Sequence, residues 1–490
     1  MVEIKNKGIS RSIQLHPSNS HYFQFDGKPI ILITSAEHYG AIVNEDFNYT
    51  TYLNALKSYG LNYTRIYPGF LFESENKFMK GNTLGPKPES IVLPWARSQM
   101  PGYVLGGNLF DLDQWDLHYF ERLKDFITKA SKRSIVVEIC FFNAQYSDTW
   151  PISPLYFKNN IQGIGNCDYK DAQTLKHPDL VGREEDYVRK ITQEVNQFDN
   201  IILEICDEPI ITGTPLSLAG PWVRHFVKVI KNIEKELPKK HLIAQQVEGP
   251  LGGPCDLSND PDVSVIVAQY VWEASGEQMG GMKALDFEYG HNKPIELNET
   301  YYYPAWYKGD QVAASRVEAW EFIVGGGAGF NHLNGRYTVP DPAGDTSDNA
   351  QVCQALKNLI EFMNSFDFVK MRPDKSFVVN GIPSDAYCRG ISESGEQYAL
   401  YIHHSIRGKE GSTSEQDVYV VSPGRYNETL TLNLPQGSYQ AEWVNPASGT
   451  IIRTEKIVYK GGNKTITAPT YSVDIALRIK RTKNHKELRR

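Results

Sequence analysis

The chain carries no excess of basic residues, no cysteine or histidine pattern of a metal site and no apolar run long enough to cross a membrane. Lysine and arginine number 51 against 58 aspartates and glutamates in 490 residues, a formal charge of −7. That balance removes the positive field a nucleic-acid binder needs. The six cysteines, at 140, 167, 206, 255, 353 and 388, are scattered with no C-x-x-C pair, which argues against zinc and against a dense disulfide framework. The 12 histidines form no H-E-x-x-H, which argues against a zinc hydrolase. No G-x-S-x-G elbow precedes a helix, which argues against an esterase. The glycine-rich GGGAG stretch before residue 330 lacks the G-K-[ST] context of a phosphate cradle. No metal and no cofactor is therefore expected. No window reaches the ~18 uninterrupted apolar residues of a membrane span, and the start, MVEIKNKGISRSIQ, lacks the apolar core of a signal peptide. The chain as written reads as soluble and unaddressed. One trimmed of its leader, and so secreted or periplasmic, would look the same.

Aromatic residues are what it has in excess: 28 tyrosines, 21 phenylalanines and 8 tryptophans. Rings fill cores, but rings gathered near polar loops also grip sugars. The length predicts two or three domains, with the reservation that one α/β barrel can take about 250 residues. After a hairpin-like start around FDGKP, eight apolar runs read as strands: 30–35, 61–67, 134–142, 200–206, 241–247, 263–270, 293–299 and 326–333. Amphipathic stretches at 46–59, 115–131, 183–197, 220–236, 310–324 and 349–364 read as helices. In the third of these, Tyr187, Val188, Ile191 and Val195 recur at helical spacing. Eight strands alternating with helices predict an α/β fold, a (β/α)8 TIM barrel. Two insertions, 72–113 and 143–182, interrupt the rhythm, the second carrying Tyr146, Trp150 and Tyr156. Both follow strands, so both are expected on the C-terminal face, where barrels build their sites. Past residue 372 short strands without helical period predict a C-terminal all-β sandwich. The expected domains are a barrel over 1–372, a sandwich over 373–482 and a basic tail over 483–490.

A barrel directs attention to strand ends. The fourth strand runs NIILEICDEPI and ends in Asp207, Glu208 and Pro209; the seventh runs KPIELNETYYYPAW and ends in Glu299, with Tyr301 to Tyr303 and Trp306 beyond. Two carboxylates at a mouth lined with rings can hydrolyse an acetal. One delivers a proton to a poor leaving oxygen, and the other stabilises or captures the oxocarbenium-like carbon. A separation of ~5–5.5 Å gives retention and ~6.5–9.5 Å gives inversion. Each glutamate taken alone reads equally as a solvated loop residue or an arginine partner; the pair in this order favours catalysis.

These segments resemble a family. ILEICDEP resembles the E-x-x-N-E-P signature of the cellulase-like, clan-A retaining glycoside hydrolases of the family 5 type, and KPIELNET resembles their K-P-x-x-x-x-E-T/G segment. The resemblance spans about residues 20–365. It implies that Glu299 is the nucleophile and Glu208 the acid/base, acting on β-glycosidic bonds of an oligosaccharide or polysaccharide by double displacement. LNYTRIY resembles the clan's second strand, whose arginine, here Arg65, hydrogen-bonds the nucleophile. Two departures stand out. Asp207 occupies the place of the asparagine that donates to the sugar 2-hydroxyl; a carboxylate there only accepts, and its charge raises the neighbouring glutamate's pKa. Gln269-Tyr270 stands where the clan shows His-x-Tyr, with Tyr270 expected to reach the nucleophile.

Further candidates for substrate contact are weaker. Glu37, His38 and Tyr39 follow the first strand as either a contact cluster or a structural network. Asn143 ends the third strand. Trp150, Trp272 and Trp306 are stacking platforms or ordinary packing, and Asn331 and His332 end the eighth strand, the histidine as a contact or a core residue. In the sandwich, QGSYQAEWVNPASGT resembles a hairpin common in domains appended to such barrels, where Trp443 serves either a structural lid or an independent sugar site. The alternatives to a hydrolase are a non-catalytic carbohydrate-binding barrel and a transglycosylase using the same covalent intermediate.

Overall fold

The computed structural model describes residues 11–482 apart from 78, 82, 248–256, 270–279, 301–306, 308 and 409–417. The chain opens with a three-stranded antiparallel sheet at Gln14–Leu15, Phe23–Phe25 and Lys28–Ile30. Its hairpin turns at Asp26 and Gly27, both at positive φ (48° and 74°), the twist a two-residue turn needs to match its strands.

Eight parallel strands follow: β1 (Leu32–Ala36), β2 (Tyr63–Ile66), β3 (Val136–Asn143), β4 (Ile201–Asp207), β5 (Leu242–Gln246), β6 (Val265–Ala268), β7 (Ile295–Leu297) and β8 (Gly329–Leu333). They pair in the order β1-β8-β7-β6-β5-β4-β3-β2. The seam between β1 and β2 is stapled by Asn62, whose side chain accepts from Ile33 N at 2.9 Å and donates to Ile31 O at 2.9 Å. A strand covered on one side by helices and on the other by its barrel partners has no wet face, so its sequence is a continuous apolar run rather than an alternation. This holds for NIILEIC and SIVVEICFF, every residue of which within β4 and β3 is buried. The outer layer comprises α1 (Tyr49–Ser58), α2 (Leu117–Ser131), α3 (Pro178–Val195), α4 (Leu216–Lys235), α5 (Gly280–Glu288), α6 (Gln311–Val324) and α7 (Ser347–Asn364). Asp116, Asp310 and Thr346 cap α2, α6 and α7 by accepting from first-turn amides, satisfying donors that have no partner within the helix. Helix α5 was not among the expected elements: KALDFE is too short a stretch to show a period by itself.

The insertion at 72–113 is not structureless. Trp95–Pro101 and Asn108–Trp115 form an antiparallel hairpin, and Phe110 bridges to Asn160 of the second insertion. The two insertions therefore stand as one wall on the C-terminal face.

The sandwich packs a six-stranded antiparallel sheet, which includes Tyr387–Glu393 beside the strands expected, on a three-stranded one. It is bound to α6 by a paired contact of Arg316 with Asp474 (2.9 and 3.0 Å) and by His403 against Glu321 (3.1 Å). The NPASG turn docks on α7, where Asn358 donates to Pro446 O and Ala447 O at 3.1 and 2.9 Å. Trp443 is wholly buried in the sandwich core, so its ring offers no surface to a sugar. Among the described residues no helix is long and apolar enough to cross a membrane.

Candidate active site

Strand β2 supplies the axis of the site. Tyr63, Arg65 and Tyr67 lie two residues apart, so all three point to one face, and here that face is the barrel interior. Arg65 is completely buried. Its guanidinium donates twice to Glu204 of β4 (Nε to Oε2 and Nη2 to Oε1, both 2.8 Å), contacts Asp207 Oδ1 through Nη2 at 2.9 Å and reaches Glu299 Oε2 through Nη1 at 3.5 Å. Glu138 of β3 lies 3.8 Å from Nε. One cation is thus shared among four acids. Burial disfavours any charge left over, so the cluster keeps protons. Burial, reinforced by Glu296, pushes Glu138 up to about 8; burial pushes Glu296 up to about 7 and holds Glu204 well above the usual carboxylate range.

Asp207 ends β4 and Glu208 follows it, the first held among interior side chains and the second meeting Tyr146. Glu208 has φ +51°, a left-handed conformation uncommon for a non-glycine residue and concentrated at functional sites. Its amide donates to Gln246 Oε1 at 2.6 Å, and its Oε2 accepts from the Tyr146 hydroxyl at 2.7 Å. Glu299 follows β7, its Oε2 accepting from the Tyr39 hydroxyl at 3.0 Å. Tyr39 also has a left-handed backbone, φ +51°. Burial and then the Asp207 charge push Glu299 up to about 8, against the opposing pull of Arg65, His38 and the Tyr39 hydrogen bond. The Tyr146 phenol is raised by burial and by the fields of Glu208, Asp207 and Glu299 together. Among the described residues no group of three histidine, cysteine or acidic side chains is arranged to hold a metal.

Several candidate contacts sit elsewhere than expected. Asp207 is 1% exposed, and its carboxylate accepts from Arg65, Gln269, Tyr67 and Asn143; it has no acceptor position left for a sugar hydroxyl. Arg65 is wholly enclosed, offers no surface to a ligand and lies 3.5 Å from Glu299 Oε2. Asn143 gives its amide to Asp207 Oδ2 (2.7 Å) and Tyr67 (3.1 Å). Glu37 is buried and folded back on its own loop, accepting from Gly40 N, Ala41 N and Thr83 Oγ1, so of its two readings the structural network holds. Trp150 is 2% exposed, donates to Cys167 O at 3.0 Å and packs edge-on against Tyr156; it is the core of the second insertion and no platform. His332 meets Ser35 Oγ at 2.9 Å, and Asn331 donates to Asn298 O. His38 faces Glu73 at 3.3 Å; burial works to lower its pKa, but Glu73, Glu299 and Glu37 outweigh it and hold the ring above its ordinary value. Tyr270, Trp272 and Trp306 lie outside the described residues.

Searches by sequence return nothing: no family model and no curated protein matches the chain. Structure does better. A solved glycoside hydrolase superposes over 96% of this chain and 98% of its own, at 13% identity and TM-score 0.60. A family 5 glycoside hydrolase from Bacteroides vulgatus ATCC 8482 does so over 97% and 94%, at 12% identity and TM-score 0.62. The chain has the fold of these glycoside hydrolase structures. Both the barrel and the appended sandwich are shared, since the overlap runs nearly end to end.

Tyr67, Tyr146 in its contact with Glu208, Gln246, Glu73 and the inner glutamates 138, 204 and 296 were not singled out by sequence reasoning. The glutamates did leave a signal. An acid in the middle of a run such as SIVVEICFF or NIILEIC is buried with its strand, and a buried acid needs a partner; two such runs beside the lone Arg65 of the second strand point to one cluster. The contacts of Tyr146 and Gln246 left none.

Proposed function

We propose that this protein is a retaining glycoside hydrolase acting on β-linked oligosaccharides or polysaccharides, with Glu299 as nucleophile and Glu208 as acid/base. The observation that carries the reading is the pair of carboxylates at the C-terminal ends of β4 and β7, each held by its own tyrosine. The fold shared with glycoside hydrolases supports it. In the first step a Glu299 oxygen attacks the anomeric carbon while the Glu208 proton passes to the leaving oxygen, breaking the glycosidic bond and forming a glycosyl ester. Glu208, now ionised, takes a proton from water, whose oxygen displaces Glu299 and restores the original anomeric configuration. Attack requires ionised Glu299, so the raised pKa of that group makes the rate climb with pH toward about 8.

The test is hydrolysis of a panel of aryl β-glycosides by the wild type, Glu299→Ala and Glu208→Ala. Loss of turnover in both variants is expected, with azide restoring phenol release and giving the α-glycosyl azide from Glu299→Ala and the β-azide from Glu208→Ala. Undiminished hydrolysis by Glu299→Ala defeats the assignment. Sugar binding without phenol release from any glycoside makes the protein a carbohydrate-binding barrel instead, and transfer to an added sugar in preference to water makes it a transglycosylase.

A further inference from the structure

Asp207 is the one strand-end acid that the proposed reaction does not use. Its environment is complete. Oδ1 accepts from Arg65 Nη2 at 2.9 Å and from the Gln269 amide; Oδ2 accepts from the Asn143 amide at 2.7 Å and from the Tyr67 hydroxyl. Two donors on each oxygen use the lone-pair directions of a carboxylate, and the side chain is sealed from solvent. The four donors come from β2, the end of β3 and the residue after β6, so the anion is clamped from three strands besides its own. A neutral amide at this position would turn one of its own N–H groups toward one of these donors.

The clamp also decides how Arg65 is shared. The arginine's close contacts, 2.7–2.9 Å, go to Glu204 and Asp207, and only the 3.5 Å contact is left for Glu299. We propose that Asp207 does not touch the sugar but is a positioning residue: it draws Arg65 away from Glu299 and stands beside that carboxylate as a fixed anion, making Glu299 a stronger nucleophile. This inference rests on the hydrolase reading for its catalytic meaning, but the electrostatic part does not need turnover.

Among the described residues, charged and titratable groups face the pair from several elements. Arg65 and the Tyr67 phenol lie on or just after β2, Cys140 on β3, Glu204 on β4, and His38 and Tyr39 follow β1. Tyr146 reaches in from the second insertion. Arg65 and His38 pull the Glu299 titration down, and the Asp207 charge opposes them. Removing a like charge from beside an acid lowers its pKa, so neutralising Asp207 moves Glu299 down.

The experiment is a carboxyl-carbon NMR titration of the full-length protein labelled at glutamate, with the Glu299 resonance assigned by its loss in Glu299→Gln. Asp207→Asn is expected to lower the Glu299 midpoint by about one pH unit or more. Asp207→Ser removes the same charge and serves as the second variant if the amide is not accommodated. An unmoved or raised midpoint overturns the proposal, because a merely structural Asp207 would change stability and leave the titration in place. A second readout is the ratio of kcat/KM for an aryl glycoside and its 2-deoxy counterpart. It is expected to agree within about twofold between wild type and variant; a penalty for 2-deoxygenation that vanishes in the variant shows that Asp207 grips the hydroxyl and refutes the claim that it does not touch the sugar. If no glycoside is cleaved by the wild type, the hydrolase reading falls while the titration still decides the electrostatic one.

Discussion

Replacing Tyr39 by phenylalanine deletes one oxygen from the wall of the site and little else. The ring itself is held by contacts that survive: the Arg65 guanidinium lies 4.9 Å from its centroid and the Tyr67 ring 4.9 Å away. Asn331, which reaches the phenol at 3.5 Å, keeps its shorter bond to Asn298 O at 3.0 Å. What disappears is the 3.0 Å hydrogen bond to Glu299 Oε2, with a longer 3.4 Å contact to Asn298 O. A hydrogen bond to a charged acceptor contributes about 1.5–3 kcal/mol, and each pKa unit corresponds to about 1.36 kcal/mol. The donor favours the ionised form, so its loss raises Glu299 by about one to two units from its position near 8. Around pH 6, where the wild-type nucleophile is already mostly protonated, kcat/KM on an aryl β-glycoside is expected to fall by about 10- to 100-fold. The loss should shrink as pH rises, because enough base ionises Glu299 in both proteins. The assay is the full pH profile of kcat/KM for the two proteins. An equal fractional loss at every pH, or an acidic limb displaced to lower pH, refutes the reasoning.

The buried acids also leave a mark on stability. Glu37 and Glu296 are held near 7, Glu138 and Glu299 near 8, all above the value of an unfolded glutamate. Their contribution is fully present below about pH 4.5 and is lost as pH rises through about 7–8, since the folded state binds the extra protons. Unfolding near pH 6 should therefore release about four protons from these groups, detectable by calorimetry in buffers of different ionisation enthalpy; proton uptake there would sink the account. At the junction of barrel and sandwich, Asp474 meets Arg316 through two contacts and accepts from Tyr401 at 2.9 Å. Asp474→Asn leaves a nearly buried guanidinium without its counter-charge, a cost of about 3–5 kcal/mol, to be read from the urea midpoint. The Arg316→Met, Asp474→Ala double variant should regain most of it, and a single-variant loss under about 1 kcal/mol would show that the pair does not hold the junction.

The linear order of apolar runs was enough to specify the barrel. A strand buried on both faces must be apolar throughout, a helix against it must repeat near every fourth residue, and these demands are local, so NIILEIC and REEDYVRKITQEV carry them openly. The two carboxylates were legible for a related reason: a barrel puts its strand ends on one face, and Asp207-Glu208 and Glu299 end strands. What surrounds those carboxylates was decided by tertiary structure alone. Tyr146 meets Glu208 across 62 positions, Tyr39 meets Glu299 across 260, and Arg65 meets Glu204 across 139; no local pattern encodes such partnerships, because any buried hydroxyl or amide satisfies the same local rule. Trp150 and Glu37 show the converse. An aromatic or an acid beside a presumed cleft looks the same in sequence whether it faces the cleft or its own loop, and only the packing of the insertions turned both inward. Asp207 belongs to both accounts. The sequence by itself marked it as an anion where an amide was expected; the barrel determined that four donors from three other strands close around it, which takes it out of reach of any ligand.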